Sequence, residues 1–226
     1  MTVAVKRSQL RPIVVAVDPA VTSGEDADCT GIVVVARGPH LPELCKLTGP
    51  CPGHGYVLDD LTCKLPPSEW ARRAVGAFDK WDASRIVAEV NNGGDMVGET
   101  IRAIRGSIPY EAVRATKGKL MRAEPASSMY AQGRVHHMGS FPDLEEQMSS
   151  WAPDSRESPD RLDALVWGLT ALKLIHQPFE MVFAPDAGDL TLNGEPIQEL
   201  NGAYAILPED AHFISTLPAR YESPFV

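Results

Sequence analysis

The sequence predicts a mixed α/β domain, a five-stranded mixed sheet flanked by helices, followed by a small β-rich, acidic C-terminal extension. Three observations carry this reading. Short β-branched runs bounded by Gly and Pro recur through the first half of the chain, as strands do. They come first in hairpin order and then alternate with helical patterns, which suits a mixed sheet with helices on both faces. After Pro178 the chain changes to short strand-like pieces, and residues 176–226 hold eight acids against the single base Arg220.

Ile13–Val17 and Gly31–Ala36 are the first two strands, joined by turn chemistry over Thr22–Thr30. Arg37–Gly55 is rich in Pro and Gly and is expected to be an extended hairpin tip or insertion. Tyr56–Leu61 resumes as a third strand. Pro66-Pro67-Ser68-Glu69 opens a helix whose Trp70, Ala74, Ala77, Phe78 and Trp81 fall at helical spacing. Arg85–Val90 is the fourth strand, Asn91-Asn92-Gly93-Gly94 a loop, Met96–Ile104 a helix and Pro109–Val113 the fifth strand. Lys119–Gln132 is expected to be helical despite Pro125, with Gly133 as its stop. Leu144–Ser150 is a further helix and Pro153–Ser158 a loop.

The last helix of this region is the best signalled. Ser158 is a good N-cap residue, Pro159 suits the first helical position, and Leu162, Leu165, Val166, Leu169 and Leu172 form an apolar stripe. Asn193-Gly194 is a hairpin signal in the extension. The boundaries expected are 1–176 for the main domain and 177–226 for an acidic extension packed on it.

Composition excludes several classes. At 226 residues with 44% apolar and 23% charged residues, the chain has the make-up of a globular protein. No apolar run approaches the roughly 20 residues that span a bilayer, so no membrane partner is expected. Cys29, Cys45, Cys51 and Cys63 do not make a disulfide scaffold in a chain this long and read as reduced thiols of a cytoplasm. The net charge of −9 opposes nucleic-acid binding at first sight, yet the extension carries most of it. Residues 111–140 hold Arg114, Lys117, Lys119, Arg122 and Arg134 against Glu111 and Glu124. That asymmetry suits a nucleic-acid face beside an acidic appendage.

The candidate chemistry lies in acids. Asp18 falls where an apolar strand ends, and Glu89 sits near the end of IVAEV, just before a Gly-rich loop. Burying an ionised carboxylate without a partner costs several kcal/mol, so a basic partner, a raised pKa or a metal ion is needed. Asp160 and Asp163, three apart, share one face near the start of the last helix. Carboxylates without Cys or His suit hard divalent cations, Mg²⁺ or Mn²⁺. Two such ions about 3.5–4 Å apart would clamp a phosphodiester. Simpler roles remain open at this stage: a turn cap for Asp18, a helix-dipole acid for Asp160, and a pair with Arg161 or another base for Asp163.

The ordered segments VVAVDPA…DADCTGIVVV, YVLDDLTCKLPPSEWARRAV, IVAEVNNGGDMV, RATKGKLMRAEP, QGRVHH and SPDRLDALVWGL resemble the nuclease domain of tailed-bacteriophage terminase large subunits. The resemblance spans roughly residues 12–175. It implies a ribonuclease-H-like fold and metal-dependent endonucleolytic cutting of concatemeric double-stranded viral DNA during genome packaging. It also implies a portal protein, a procapsid and a small terminase subunit as partners, and the cytoplasm of the bacterial host as the location. Motif by motif, Asp18, Glu89 and Asp163 match the acidic triad, and Asp160 an accessory position. The chain has no G-x-x-x-x-G-K-[ST] phosphate loop, so translocation is not carried by these residues. An excised domain or a stand-alone nuclease-like protein is expected. A junction-resolving or recombinase-like nuclease and a catalytically silent portal or capsid docking module stand as alternatives.

RATKGKLMR, with Arg114, Lys117, Lys119 and Arg122, would grip DNA phosphates at a helix start, and Asn91 would let the backbone approach one. Cys45-x5-Cys51-x2-His54-x8-Cys63 matches no tight zinc-knuckle spacing, and a zinc site is not expected there. His136 and His137 in the short strand RVHHM read as one buried and one exposed side chain rather than as catalysts.

Overall fold

The computed structural model describes residues 5–20, 29–90, 94–114, 119–152, 155, 158–175, 191–192, 195–200 and 203–206. The chain divides into two compact units, the first within Met1–His176 and the second within Gln177–Ser223.

The first unit is built on β1 (Ile13–Asp18), β2 (Gly31–Gly38), β3 (His54–Asp60), β4 (Arg85–Glu89), β5 (Tyr110–Val113) and β6 (Val135–His137). They form one sheet in the order β5-β4-β1-β2-β3-β6. β2 alone runs antiparallel to its neighbours. The sheet therefore has six strands where five are expected. The sixth, β6, is three residues long, too short for alternation to announce its place in the sheet, and it is held by parallel pairing with β3 at Gly55–Val57.

Five helices cover the sheet: α1 (Pro67–Trp81), α2 (Asp95–Ile104), α3 (Lys119–Ala131), α4 (Pro142–Ser150) and α5 (Asp160–Ala171). Side chains alternate across a strand, so each face receives its own set. Ile13, Val15, Val17, Ile32, Val34, Tyr56 and Leu58 pack with Trp70, Ala74, Val97 and Ile101 of α1 and α2. Val14, Val33, Val35 and Val57 pack with Met129 of α3, Leu144 of α4, and Leu162, Leu165 and Leu169 of α5. Being buried on both faces, β1 reads as an unbroken apolar run up to its last residue. α5 starts one residue later than its sequence signals, with Pro159 rather than Ser158 at the cap position and no side-chain cap bond. Among the described residues no helix is long and apolar enough to cross a membrane.

Two glycines set how near α5 comes to the sheet. A Cβ on Gly31 would overlap the backbone carbonyl of Asp160, and one on Gly168 would run into Val35 and lie 3.2 Å from the Ala16 Cβ. The helix thus meets bare sheet backbone at Gly31, and at Gly168 its own bare backbone meets the side chains of Val35 and Ala16.

The second unit contains β7 (Thr191–Leu192), β8 (Glu195–Leu200) and β9 (Ala203–Ile206) in an antiparallel three-stranded sheet. Leu192 and Glu195, which flank the hairpin signal Asn193-Gly194, are register partners. Asn193 and Gly194 themselves lie outside the described residues.

Gly31→Ala is expected to cost about 1–3 kcal/mol, since backbone rather than a flexible side chain must give way. For a chain of this size each kcal/mol lowers the melting temperature by about 2–4 °C. Gly76→Ala is the control: the site is exposed within α1 with open space around it, and the change should stabilise by roughly 0.5–1 kcal/mol. Thermal unfolding of both variants checks the pair; equal effects would show that α5 does not depend on Gly31.

Candidate active site

The parallel pairing of β1 with β4 aligns Val17 with Ala88, so the next residues, Asp18 and Glu89, end adjacent strands side by side. On the other flank of β1, Asp18 is the register partner of Gly31. Because Gly31 has no side chain, the first turn of α5 lies directly on that spot, and Asp160 and Asp163 both belong to this turn. Two strand ends and one helix start therefore deliver four carboxylates to one edge of the sheet.

Their burial is uneven. Asp163 and Asp160 are only 2% and 7% exposed, among the few polar side chains in the core. Asp18 and Glu89 keep part of their surface open to solvent. Burial pushes the Asp18 carboxyl well above its ordinary 3.8, and the charges of Asp163, Glu89 and Asp160 push it the same way, as does a shared hydrogen bond with Glu89. A hydrogen bond shared between two carboxylates needs a proton, and crowding of like charge favours keeping it.

Two neighbours organise the cluster. Trp167 Nε1 donates a 2.8 Å hydrogen bond to Glu89 Oε2, fixing that carboxylate from α5, one helical turn after Asp163. Arg161 does not pair with Asp163. It reaches away, its Nε 2.9 Å from Asp60 and its Nη2 2.9 Å from Asp143, which ties the start of α5 to β3 and α4. Sequence reasoning missed both Trp167 and Gly31. The spacing Asp163-x-x-x-Trp167 was a usable signal, because i and i+4 share a helix face. The role of Gly31 depends on strand register, which a single sequence does not display.

The chain matches the family model of the terminase RNaseH-like domain over residues 15–172. It belongs to that family. No curated protein matches it. The crystal structure of the large terminase nuclease from thermophilic phage G20c with bound zinc is similar in fold, at 12% identity over 70% of this chain and 80% of that one, with a TM-score of 0.52. A second crystal structure of that nuclease gives 12% identity over 70% and 81%, with a TM-score of 0.50. The ribonuclease-H-like α/β fold expected from the sequence is thus the one this terminase domain has.

The other sequence candidates are placed as follows. Arg114 is exposed directly after β5. That strand is parallel to β4 with Val113 opposite Glu89, so Arg114 lies at the same sheet edge as the acids. Asn91 and Lys117 lie outside the described residues, as do the side chains of Lys119 and Arg122 on the first turn of α3. His136 and His137 are not one buried and one exposed; both are half-buried on β6. His137 is held between Tyr130 Oη at 2.7 Å and Glu145 at 2.8 Å, and His136 Nε2 lies 2.7 Å from His54 Nδ1. β6 is separated from β1 by β2 and β3, which keeps both imidazoles apart from the acids.

The raised Asp18 pKa gives a signed prediction. An acid whose pKa is higher folded than unfolded costs nothing while protonated in both states, and its penalty grows as pH rises from the unfolded value towards the folded one. Asp18→Asn removes the penalty. Without divalent cations, the variant should melt above the parent near neutral pH, and the gap should close as pH falls towards 3.8. A gap that does not change with pH would mean the Asp18 carboxyl is not strained.

Proposed function

We propose that this domain is a divalent-cation-dependent DNA endonuclease, the nuclease part of a terminase large subunit that cuts concatemeric double-stranded viral DNA during packaging. The single observation that carries the reading is the convergence of Asp18, Glu89, Asp160 and Asp163 on one sheet edge, with burial and mutual charge raising the Asp18 pKa. Four clustered carboxylates make an all-oxygen donor set with an unbalanced charge, which fits Mg²⁺ or Mn²⁺. The similar G20c nuclease has been crystallised with bound zinc, so a divalent cation in this fold has precedent.

The four acids would hold the cations, two in number by the chemistry of phosphodiester hydrolysis. When bound, such ions activate a water for attack on the phosphorus and stabilise the leaving 3′-oxygen. The chain's own groups do the rest. Trp167 holds Glu89 in one rotamer, and the hydrogen bond, made to a charged acceptor, is worth about 1.5–3 kcal/mol of positioning. Asp160 and Asp163, rooted in a packed helix, cannot swing away to relieve repulsion. Arg114 stands beside the strand end of Glu89 and would engage a DNA phosphate, with Lys117, Lys119, Arg122 and the Asn91 loop extending the grip.

Charge couples the two ligands. An edge with four carboxylates repels a phosphate backbone until cations neutralise it, so DNA should bind more tightly with Ca²⁺, Mg²⁺ or Mn²⁺ than without. Portal, procapsid and small-subunit partners, and the host cytoplasm, belong to this reading through the family.

Plasmid cleavage in Mg²⁺ or Mn²⁺ tests it. Asp18→Asn and Glu89→Gln should each lower the rate by about 100-fold or more, and Trp167→Phe by roughly 10–100-fold, as for loss of a residue that orients a ligand. Activity surviving both acid substitutions ends the assignment, and a chain inert in either metal favours a docking module. In DNA-binding measurements, Lys117→Ala and Lys119→Ala should weaken affinity for all sequences. Each should flatten the dependence of log K on log salt by about 1; unchanged slopes would remove these bases from the interface.

A further inference from the structure

The chain between β2 and β3 poses a separate problem. Residues 39–53 form neither helix nor strand, and among them only Leu41 is buried. A structureless connection of this length is uncommon in a compact domain unless something other than a core holds it.

What the loop does hold together is a set of ligands. His40, Cys45, Cys51 and His54 each offer one donor atom, and these atoms all lie within 4.8 Å of one another. Tetrahedral zinc, with Zn–S near 2.3 Å and Zn–N near 2.0–2.1 Å, puts its donors about 3.3–3.8 Å apart. The cluster thus needs to contract by no more than about 1.5 Å. Cys63 is not a member; it pairs in a β-bridge with Thr30. The spacing motif Cys45, Cys51, His54 and Cys63, from which no zinc site is expected, has Cys63 in the place that His40 takes here.

A second observation points independently to a ligand. His54 is fully buried, yet its Nε2 has no hydrogen-bond partner. An unsatisfied buried polar atom costs about 1–3 kcal/mol. Its other nitrogen, Nδ1, lies 2.7 Å from His136 Nε2. A metal on Nε2 requires the proton on Nδ1, and His136 is placed to accept it. Histidines that ligate zinc usually donate their second N–H in this way.

The backbone is already fixed at both ends of the cluster. Cys45 N donates to Leu41 O at 2.9 Å and Lys46 N to Gln132 O at 2.9 Å. Tyr56 Oη donates to Pro39 O at 2.7 Å, and Arg134 Nε to Gly53 O at 3.0 Å. Gly53 has φ +125°, a conformation open to glycine that turns the chain between Cys51 and His54. Gly133, at φ +67°, leaves room for the Leu44 carbonyl, which any Cβ there would strike.

We infer that His40, Cys45, Cys51 and His54 form a structural zinc site that staples the β2–β3 connection to the sheet. Four protein ligands fill a tetrahedron and leave no open position for a substrate, so the ion is structural. Its place in the sheet agrees. His54 pairs with Gly38 at the edge where β1 begins, whereas Asp18 ends β1 at the other. The six residues of that strand span roughly 17 Å. A Cys45–Cys51 disulfide is the rival occupant, but it would leave His54 Nε2 unsatisfied and His40 unused.

Zinc content of the full chain, after exhaustive dialysis without a strong chelator, tests the site. The expected result is one zinc per chain, released by a thiol-blocking mercurial and retained in the Asp18→Asn/Glu89→Gln double variant. That retention separates this site from the acidic edge, so the two readings fail independently. Cys45→Ser and Cys51→Ser should each lose at least about 90% of the zinc, and Cys63→Ser should keep it. Should the serine variants misfold, cobalt replacement in the unaltered chain decides: tetrahedral thiolate ligation gives strong visible bands and a sulfur-to-cobalt band in the near ultraviolet. Zinc absent with both thiols free, a Cys45–Cys51 disulfide in the unreduced mass spectrum, zinc persisting in Cys51→Ser, or cobalt bound without thiolate bands would each overturn the inference.

Discussion

The acidic edge exists because α5 lies closer to the sheet than side chains normally allow. Gly31 and Gly168 remove the layer of atoms that would hold the helix away, and Asp160 comes down on the backbone opposite Asp18. Two like charges about 4 Å apart repel by roughly 4 kcal/mol at the effective dielectric of a protein surface. Each buried Leu or Val on α5 returns about 1.5–3 kcal/mol, and Leu162, Leu165, Val166 and Leu169 are all buried. The apolar stripe therefore carries the carboxylates into contact against their own repulsion. The proposed chemistry would require a scaffold that strong, because acids free to swing apart would relax instead of holding cations.

The same geometry explains why the acids come from distant parts of the sequence. A carboxylate at the end of a parallel strand points past the sheet, where a helix start can meet it without crossing the core. β4 and β5 add Glu89 and Arg114 to that edge with opposite charge. Under the proposed function, Arg114 beside this anionic centre would help to attract a polyanion that the centre accepts only together with cations. The net charge of −9 is thus a poor guide to partners, because it averages over parts of the chain with very different charge.

Much of this was legible in the sequence, and the reasons differ from residue to residue. Asp18 and Glu89 stood out because an acid inside an apolar strand conflicts with its surroundings, and local conflict is where function tends to sit. The α5 stripe was readable because helix periodicity is a local property. β6 was not given a place in the sheet, since three residues carry no periodic signal and its pairing is with β3, about 80 residues earlier in the chain. The start of α5 was misjudged by one residue: Ser158 has the right chemistry for a cap, but the chain there follows α4 and the Arg161 ion pairs rather than capping preference. His40 was overlooked for a related reason. Ligand spacing is recognisable when a short turn sets it, whereas this loop closes through tertiary bonds to Gln132, Arg134 and Tyr56.

Two donor sets at opposite ends of one sheet would also divide the choice of metal. Zinc binds most nitrogen and oxygen ligands more tightly than Mn²⁺ does, so a carboxylate site alone would not exclude it by affinity. A thiolate–imidazole site such as the one inferred at the loop would bind zinc more strongly still, because both sulfurs are soft donors and the tetrahedron is complete. One filled site does not lower the free zinc that the acidic edge meets, so that edge would take Mg²⁺ or Mn²⁺ through its hard oxygen donors and the greater supply of those ions. Under the two proposals the loop site and the acidic edge would act independently: the soft cluster would fix the hairpin, and the hard cluster would keep an open coordination sphere for water and phosphate. A chelator would then strip two different functions at once, and donor chemistry, oxygen at one end and sulfur with nitrogen at the other, would tell them apart.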